Sequence, residues 1–272
     1  MLAALAMVAA ACGGGTAATT VAPTETTATS TETTASSGTG ELPDLDGQAI
    51  TVAVENAYLP FNFIDEATGE PAGWDYDAVG AICERLNCVP EFVETAWDGM
   101  IIAVSEGQFD MAADGITITE ERSEQVDFSD GYISVEQRLM TRLDEDRFAT
   151  IDEFTAGDFV VGTQTGTTNY DVAVERFGAD RIEAYEQFPF AVQALINGDV
   201  DAVIIDDTAG QGYVGENAED IALMAGSLSS DELGFIFPKG SELVAAFNAA
   251  MVAMEADGTL ADINATWFPP IS

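Results

Sequence analysis

GITITEERSEQVDFSDGY, residues Gly115 to Tyr132, opens within the mostly apolar run Met111 to Ile118, which Gly115 breaks. Its central residue is Arg122, one of 8 Lys and Arg residues in a chain with 48 Asp and Glu. Two readings compete for it. Glu120, Glu121 and Glu124 surround it in sequence, and a surface ion pair with any of them would contribute roughly 0–1 kcal/mol. The other reading uses what precedes it. An apolar strand ending at Gly115, with Thr117 and Thr119 just beyond, presents backbone N–H groups and hydroxyls. A guanidinium a few residues on adds a planar fork of donors matched to a carboxylate.

Upstream, Ile50 to Val54 (ITVAV) reads as a buried strand. It leads into Glu55, Tyr58 and a loop that Pro60 keeps out of helix. A helix opens at Gly73-Trp74, with Val79, Ile82, Cys83 and Leu86 on one apolar face. Glu91 to Val93 is a second strand, and Trp97, Met100, Ile101 and Val104 repeat helical spacing until Gly107. Strand, helix, strand, helix and strand predict an α/β fold, with a parallel sheet flanked by helices. In such sheets ligands sit at the carboxyl ends of strands, where Glu55, Tyr58 and Thr117 fall.

Downstream, a second unit starts at Leu139 to Arg142. The strand Phe159 to Gly162 runs into Thr163 to Asn169, a polar run before a helix. That run is either an anion-binding helix start or a plain N-capping loop. Phe188, Val192 and Leu195 mark a helix ending at Asn197-Gly198. Asp201 to Ile205 is a buried strand with Asp206 and Asp207 at its carboxyl end. Gly234 to Phe237 is the last strand, followed by helices over Glu242 to Asp257 and around Leu260, Ile263 and Trp267.

Composition excludes several classes. The net charge of −40 leaves no basic patch for nucleic acid or an anionic membrane. There is no His, which removes His general bases and His metal ligands. The apolar run Leu2 to Ala11 is far below the roughly 20 residues of a membrane-spanning helix. It ends Ala9-Ala10-Ala11-Cys12-Gly13, which resembles a bacterial lipobox with Cys12 as the lipidated residue, although the basic n-region is missing. Gly13 to Gly40 is Thr, Ala, Ser and Gly without an apolar face, the composition of a disordered tether.

The opening stretch resembles the signature of the family 3 extracellular solute-binding proteins, the polar amino-acid receptors of ABC transporters. The pattern of Gly, apolar, Thr, apolar, Thr, two polar residues and Arg, then Phe-Ser-Asp-Gly-Tyr, is matched throughout. The likeness covers nearly everything from Gln48 to Phe268. It implies a two-lobed periplasmic-binding-protein fold (type II), each lobe a mostly parallel sheet flanked by helices, with two hinge crossings. The resulting organisation is a signal peptide and lipobox over 1–12 and a tether over 13–47. Lobe one is 48–134, lobe two 135–232, and 233–272 returns to lobe one.

By the same resemblance, Gly115, Thr117 and Arg122 hold a ligand α-carboxylate, with Thr167 from the second lobe. Asp206 holds the ammonium, although its neighbour Asp207 offers the same group. Tyr58 and Trp97 match aromatic walls, unless they are core residues. Glu55 meets a basic or amide side chain of the ligand, and Gln164 stands nearby. Tyr58 and Trp97 could sandwich a guanidinium. These residues imply a basic amino acid, then glutamine, as ligand, an ABC permease as partner, a monomer, and no cofactor or metal. Cys83 and Cys88 suggest a disulfide in an oxidising compartment, and some members of the family carry a bridge there. Two rivals share the fold: a secreted dehydratase, with Glu55 pressed into service as general acid, and an extracellular amino-acid sensor domain.

Overall fold

The computed structural model describes residues 42–268. The expected signal peptide, Cys12 and the tether up to residue 41 lie outside the described residues. The body begins before Gln48. Leu42 and Leu45 pack on the core, and the Leu45 and Gly47 N–H groups donate to Leu86 and Asn87 carbonyls at 2.7 Å.

The chain opens with β1 (Gln48–Val54), whose last residues are buried. An unforeseen small antiparallel sheet follows, of β2 (Ala57–Tyr58), β3 (Asn62–Ile64) and β4 (Pro71–Ala72). Helix α1 (Trp74–Leu86) buries Val79, Ile82, Cys83 and Leu86, as its spacing demands. It ends at Asn87 in the left-handed conformation, φ 53°, a turn that Asn tolerates. Cys83 and Cys88 are joined by a disulfide across that turn. Then come β5 (Cys88–Glu94), α2 (Met100–Ser105), β6 (Met111–Ala112), α3 (Glu120–Gln125) and β7 (Val126–Phe128). The helix expected to carry Trp97 starts only at Met100, because Gly99 at φ 89° sets its N-terminus. Trp97 is thereby released into the preceding loop.

The second unit is β8 (Ile133–Arg142), α4 (Ile151–Ala156), β9 (Val161–Gln164), α5 (Thr168–Phe177), β10 (Ile182–Tyr185) and α6 (Phe188–Asn197). It continues with β11 (Ala202–Asp206), α7 (Asp207–Glu216), β12 (Ile221–Leu223) and β13 (Ser229–Leu233). The chain then returns through β14 (Ile236–Pro238) to α8 (Leu243–Asp257) and α9 (Thr259–Trp267).

Two larger sheets result, ordered β5-β1-β6-β14-β7 and β10-β9-β11-β8-β12, with β13 also on β8. They are mixed where mostly parallel sheets were expected. The pairings β5–β1–β6 and β10–β9–β11 are parallel. The strands at the crossings reverse this: β14 pairs antiparallel with β6 and β7, and β8 antiparallel with β11, β12 and β13. The chain passes from one sheet to the other between Phe128 and Ile133, and back between Leu233 and Ile236. The two crossing strands β8 and β13 pair with each other, Ile133 opposite Leu233. Trp74 fastens this region, stacked on Tyr132 at 4.4 Å and on Phe235 at 6.0 Å.

Candidate functional site

A cavity lies where the carboxyl ends of strands from both sheets meet. From the first sheet's side come Glu55 after β1, Tyr58 on β2, Trp97 after β5, Gly115 and Thr117 after β6, and Arg122 on α3. From the second come Gln164 at the end of β9, Thr167 at the start of α5, and Asp206 at the end of β11. All nine residues expected from sequence therefore line one cavity. Asp114, Thr168, Asn169 and Phe188 line it too; Thr168 and Asn169 belong to the polar run before α5, and Asp114 and Phe188 were not anticipated.

Arg122 makes no ion pair among the described residues, so the local surface pair with Glu120, Glu121 or Glu124 is not formed. The ion pairs present go to Arg85, Arg138, Arg142, Arg147 and Lys239 instead. Its guanidinium donates to the Thr117 carbonyl at 3.0 Å and lies 5.3 Å from the Trp97 ring centroid. Thr119 caps α3, its hydroxyl accepting from the Arg122 N–H at 3.1 Å. Gly115 has φ +56°, and a Cβ there would lie 2.5 Å from the Tyr58 ring. Only glycine lets the backbone approach the cavity at that point.

Among the described residues, four side-chain hydrogen bonds join the two sides, besides the backbone bond from the Ile118 N–H to the Glu232 carbonyl at 2.8 Å. The Tyr58 hydroxyl donates to Asp206 Oδ2 at 2.6 Å, and Gln164 Nε2 donates to Glu55 Oε1 at 2.8 Å. The Thr117 and Thr168 hydroxyls are 3.2 Å apart, and the Tyr213 hydroxyl donates to the Ala57 carbonyl at 2.9 Å. Thr167 serves both readings of its loop. Its hydroxyl caps α5 by accepting from the Tyr170 N–H and donates to the Gln164 carbonyl at 2.8 Å. What it presents to the cavity is the start of a helix, where N–H groups lack intrahelical partners. The Tyr58 ring is stacked against Phe61 and Phe188, each at 5.3 Å. Its faces are engaged by protein and the Trp97 ring lies against the Arg122 guanidinium, so the expected Tyr58–Trp97 sandwich is not formed.

Asp206 and Asp207 divide cleanly. Asp206 stands at the N-cap of α7, but its side chain makes no capping bond; Oδ1 accepts instead from Asn169 Nδ2 at 3.0 Å. Asp207 Oδ1 accepts from the Glu136 N–H at 3.0 Å and steadies β8 instead. Burial pushes the Asp206 carboxyl up to about 6, partly offset by the bonds from Tyr58 and Asn169. Burial also raises Glu55, opposed by Gln164, the Trp97 N–H and Gln187. Desolvation lowers the Arg122 guanidinium from its ordinary value.

Behind the cavity the acids continue inward. Asn62 Nδ2 donates to Asp114 Oδ1 at 2.7 Å and to Asp75 Oδ2 at 2.9 Å. Asp75 is fully buried, with Oδ1 unpartnered, and burial pushes it up to about 7. A carboxyl raised on folding contributes stability that is present below the ordinary carboxylate range and lost as pH rises through about 7. Asp75→Asn keeps the shape and removes this loss. The variant is expected to gain about 2–4 kcal/mol over the wild type at about pH 8, and little at about pH 4. Urea unfolding of both proteins across that range measures the difference, and a gain independent of pH would contradict the assignment.

The model for "Bacterial extracellular solute-binding proteins, family 3" matches residues 50–270, and the chain belongs to this family. Among curated relatives it is similar to the L-cystine-binding protein TcyJ of Escherichia coli K12, 29% identical over 223 residues, 80% of this chain and 82% of the relative. Among solved structures it is similar to the arginine-, lysine-, histidine-binding protein ArtJ of Geobacillus stearothermophilus. That likeness has TM-score 0.76 and 28% identity over 83% of this chain and 97% of the other. It is also similar to the ancestral amino acid-binding protein AncCDT-1, described as a precursor of cyclohexadienyl dehydratase. There the TM-score is 0.75 and the identity 32%, over 81% of this chain and 95% of the other. The two-lobed fold is that of the periplasmic binding proteins.

Proposed function

We propose that this chain captures a free amino acid between its two lobes and delivers it to an ABC permease, acting as a binding protein and not as an enzyme. The observation that carries this is the distribution of charge in the cavity. One guanidinium, Arg122, stands with Thr117 and the start of α5 at one place, and a buried carboxylate, Asp206, stands at another. That pair complements a zwitterion, whose buried charges must each find a partner. The contacts come from both sides, as a clamp requires. The named relatives, binders of cystine and of arginine, lysine and histidine, support the reading.

Glu55 narrows the ligand. It is buried, accepts from Gln164, and joins an ion pair with no Lys or Arg among the described residues. A basic side chain supplies the missing cation, so arginine or lysine is preferred, then glutamine, over glutamate and leucine. Competition calorimetry with these five amino acids tests it. Glu55→Gln should weaken arginine more than glutamine, and scattering should show a smaller radius of gyration with ligand. Tightest binding by glutamate or leucine would defeat the assignment, and consumption of any amino acid would replace binding by catalysis. The lobe limits 48–134, 135–232 and 233–272, a monomeric state, and lipid attachment at Cys12 on the outer face of the membrane complete the proposal. Mass measurement of the protein from a membrane fraction tests the last.

A further inference from the structure

Asp114 is the one acid among the cavity residues that the resemblance did not supply. It follows β6, sits 4% exposed, and lines the cavity beside Glu55. Its Oδ1 is fixed twice, by Asn62 Nδ2 at 2.7 Å and by the Glu55 N–H at 3.3 Å. Among the described residues Oδ2 takes no protein hydrogen bond, and it is not among the sealed, unpartnered atoms. One oxygen is therefore anchored and the other is left to the cavity. Neither Asp114 nor Glu55 forms an ion pair with any Lys or Arg among the described residues.

We propose that Asp114 is a specificity-determining residue, forming with Glu55 a paired-carboxylate clamp that selects amino acids whose far end is a cation with several N–H donors. This rests on the amino-acid-binding reading above and extends it. Two buried carboxyls lining one cavity, with the Glu55 N–H bonded to Asp114 Oδ1, oppose each other's ionisation, and without a counter-charge the pair favours keeping a proton. The groups facing Asp114 are Glu55 at the end of β1, Asp75 on α1 through Asn62, and the hydroxyls of Tyr58, Tyr132 and Tyr213. None is a cation. Burial, then the Glu55 charge, hold the Asp114 carboxyl well above its ordinary range. A guanidinium or ammonium takes over the proton's role, and the proton leaves to the buffer. Binding of a basic amino acid then releases a proton and tightens as pH rises. A neutral amide side chain leaves the proton in place.

Calorimetry with L-arginine and L-glutamine, at about pH 7.5 in buffers of different ionisation enthalpy, reads this directly. At that pH Asp206, at about 6, has largely ionised and contributes little. The wild type should release more protons per arginine bound than per glutamine bound. Asp114→Asn should weaken arginine at least about 30-fold, lose most of the proton release, and hold glutamine within about threefold. Glutamine binding by the variant shows that it folds. Unchanged arginine affinity, undiminished proton release, or equal losses for both ligands in a variant that melts like the wild type overturns the proposal. If Asp114→Asn does not fold, Asp114→Glu decides. It should keep the preference for arginine over glutamine, and loss of that preference overturns the proposal. If the wild type binds neither amino acid, the underlying reading fails first, and this one with it.

Discussion

Arg122→Ala is expected to leave the protein folded and to weaken amino-acid binding by about 2–5 kcal/mol, on the order of 30-fold to several thousand-fold. The size of the effect follows from what the guanidinium does in the ligand-free molecule. It spends one hydrogen bond on the Thr117 carbonyl and rests on Trp97. No described carboxylate forms an ion pair with it, although Asp171 and Asp206 act on it from a distance, while every other positive side chain is spent on protein acids or carbonyls. It is also the only Lys or Arg lining the cavity. Removing it leaves a bound α-carboxylate facing Thr117 and the start of α5, without a charge. Most of the cost is that stranded charge. Arg122→Lys should fall between, because an ammonium keeps the charge but loses the planar fork. The fold should tolerate both, since α3 is capped by Thr119 and buries no side chain completely. Titration calorimetry measures affinity and circular dichroism checks the fold. Unchanged affinity in Arg122→Ala would remove the residue from the site.

The elements that a sequence reading recovered are those with a strong physical period. ITVAV reads as a strand because β1 is a central strand, covered on both faces. α1, α6 and α8 show their buried faces at helical spacing. The residues that line the cavity follow such strands, but it was the resemblance to the family signature, more than residue chemistry, that singled out Gly115, Thr117, Arg122, Thr167 and Asp206. What escaped had no period to betray it. β2, β3 and β4 are two or three residues each, held by tertiary contact and not by pattern. Trp97 fits the spacing of α2, and only Gly99 at a left-handed φ shows that the helix starts after it. Phe188 satisfies a helix face at the first position of α6 while its ring meets Tyr58 across the cavity. Asp114 stands between an apolar run and Gly115 and reads as turn chemistry. Its partner Asn62 is 52 residues away in sequence.

Asp206→Asn is expected to cost about as much as the arginine change, about 2–5 kcal/mol of amino-acid affinity. Asparagine keeps the shape and can still accept from Tyr58 or Asn169, so the loss reports the charge. Asp206 is 2% exposed. A ligand ammonium brought there has little water left, and a neutral amide cannot replace the ion pair. Asp207→Asn is the matched control. Its Oδ1 already serves the Glu136 N–H, a role that an amide oxygen fills, and affinity should change by less than about 1 kcal/mol. The pH dependence separates the two further. Burial holds free Asp206 at about 6, and an adjacent ammonium stabilises the ionised form, so the bound value lies lower. Affinity is then full above about 6 and is lost as pH falls through that value. Glutamine is the ligand to use, because its uncharged side chain does not draw a proton from Glu55 and Asp114. Its affinity should drop between about pH 7.5 and about pH 5 in the wild type and in Asp207→Asn, and stay flat and weak in Asp206→Asn. A pH-dependent loss that survives in Asp206→Asn, or a larger effect from Asp207, would assign the ammonium to another acid.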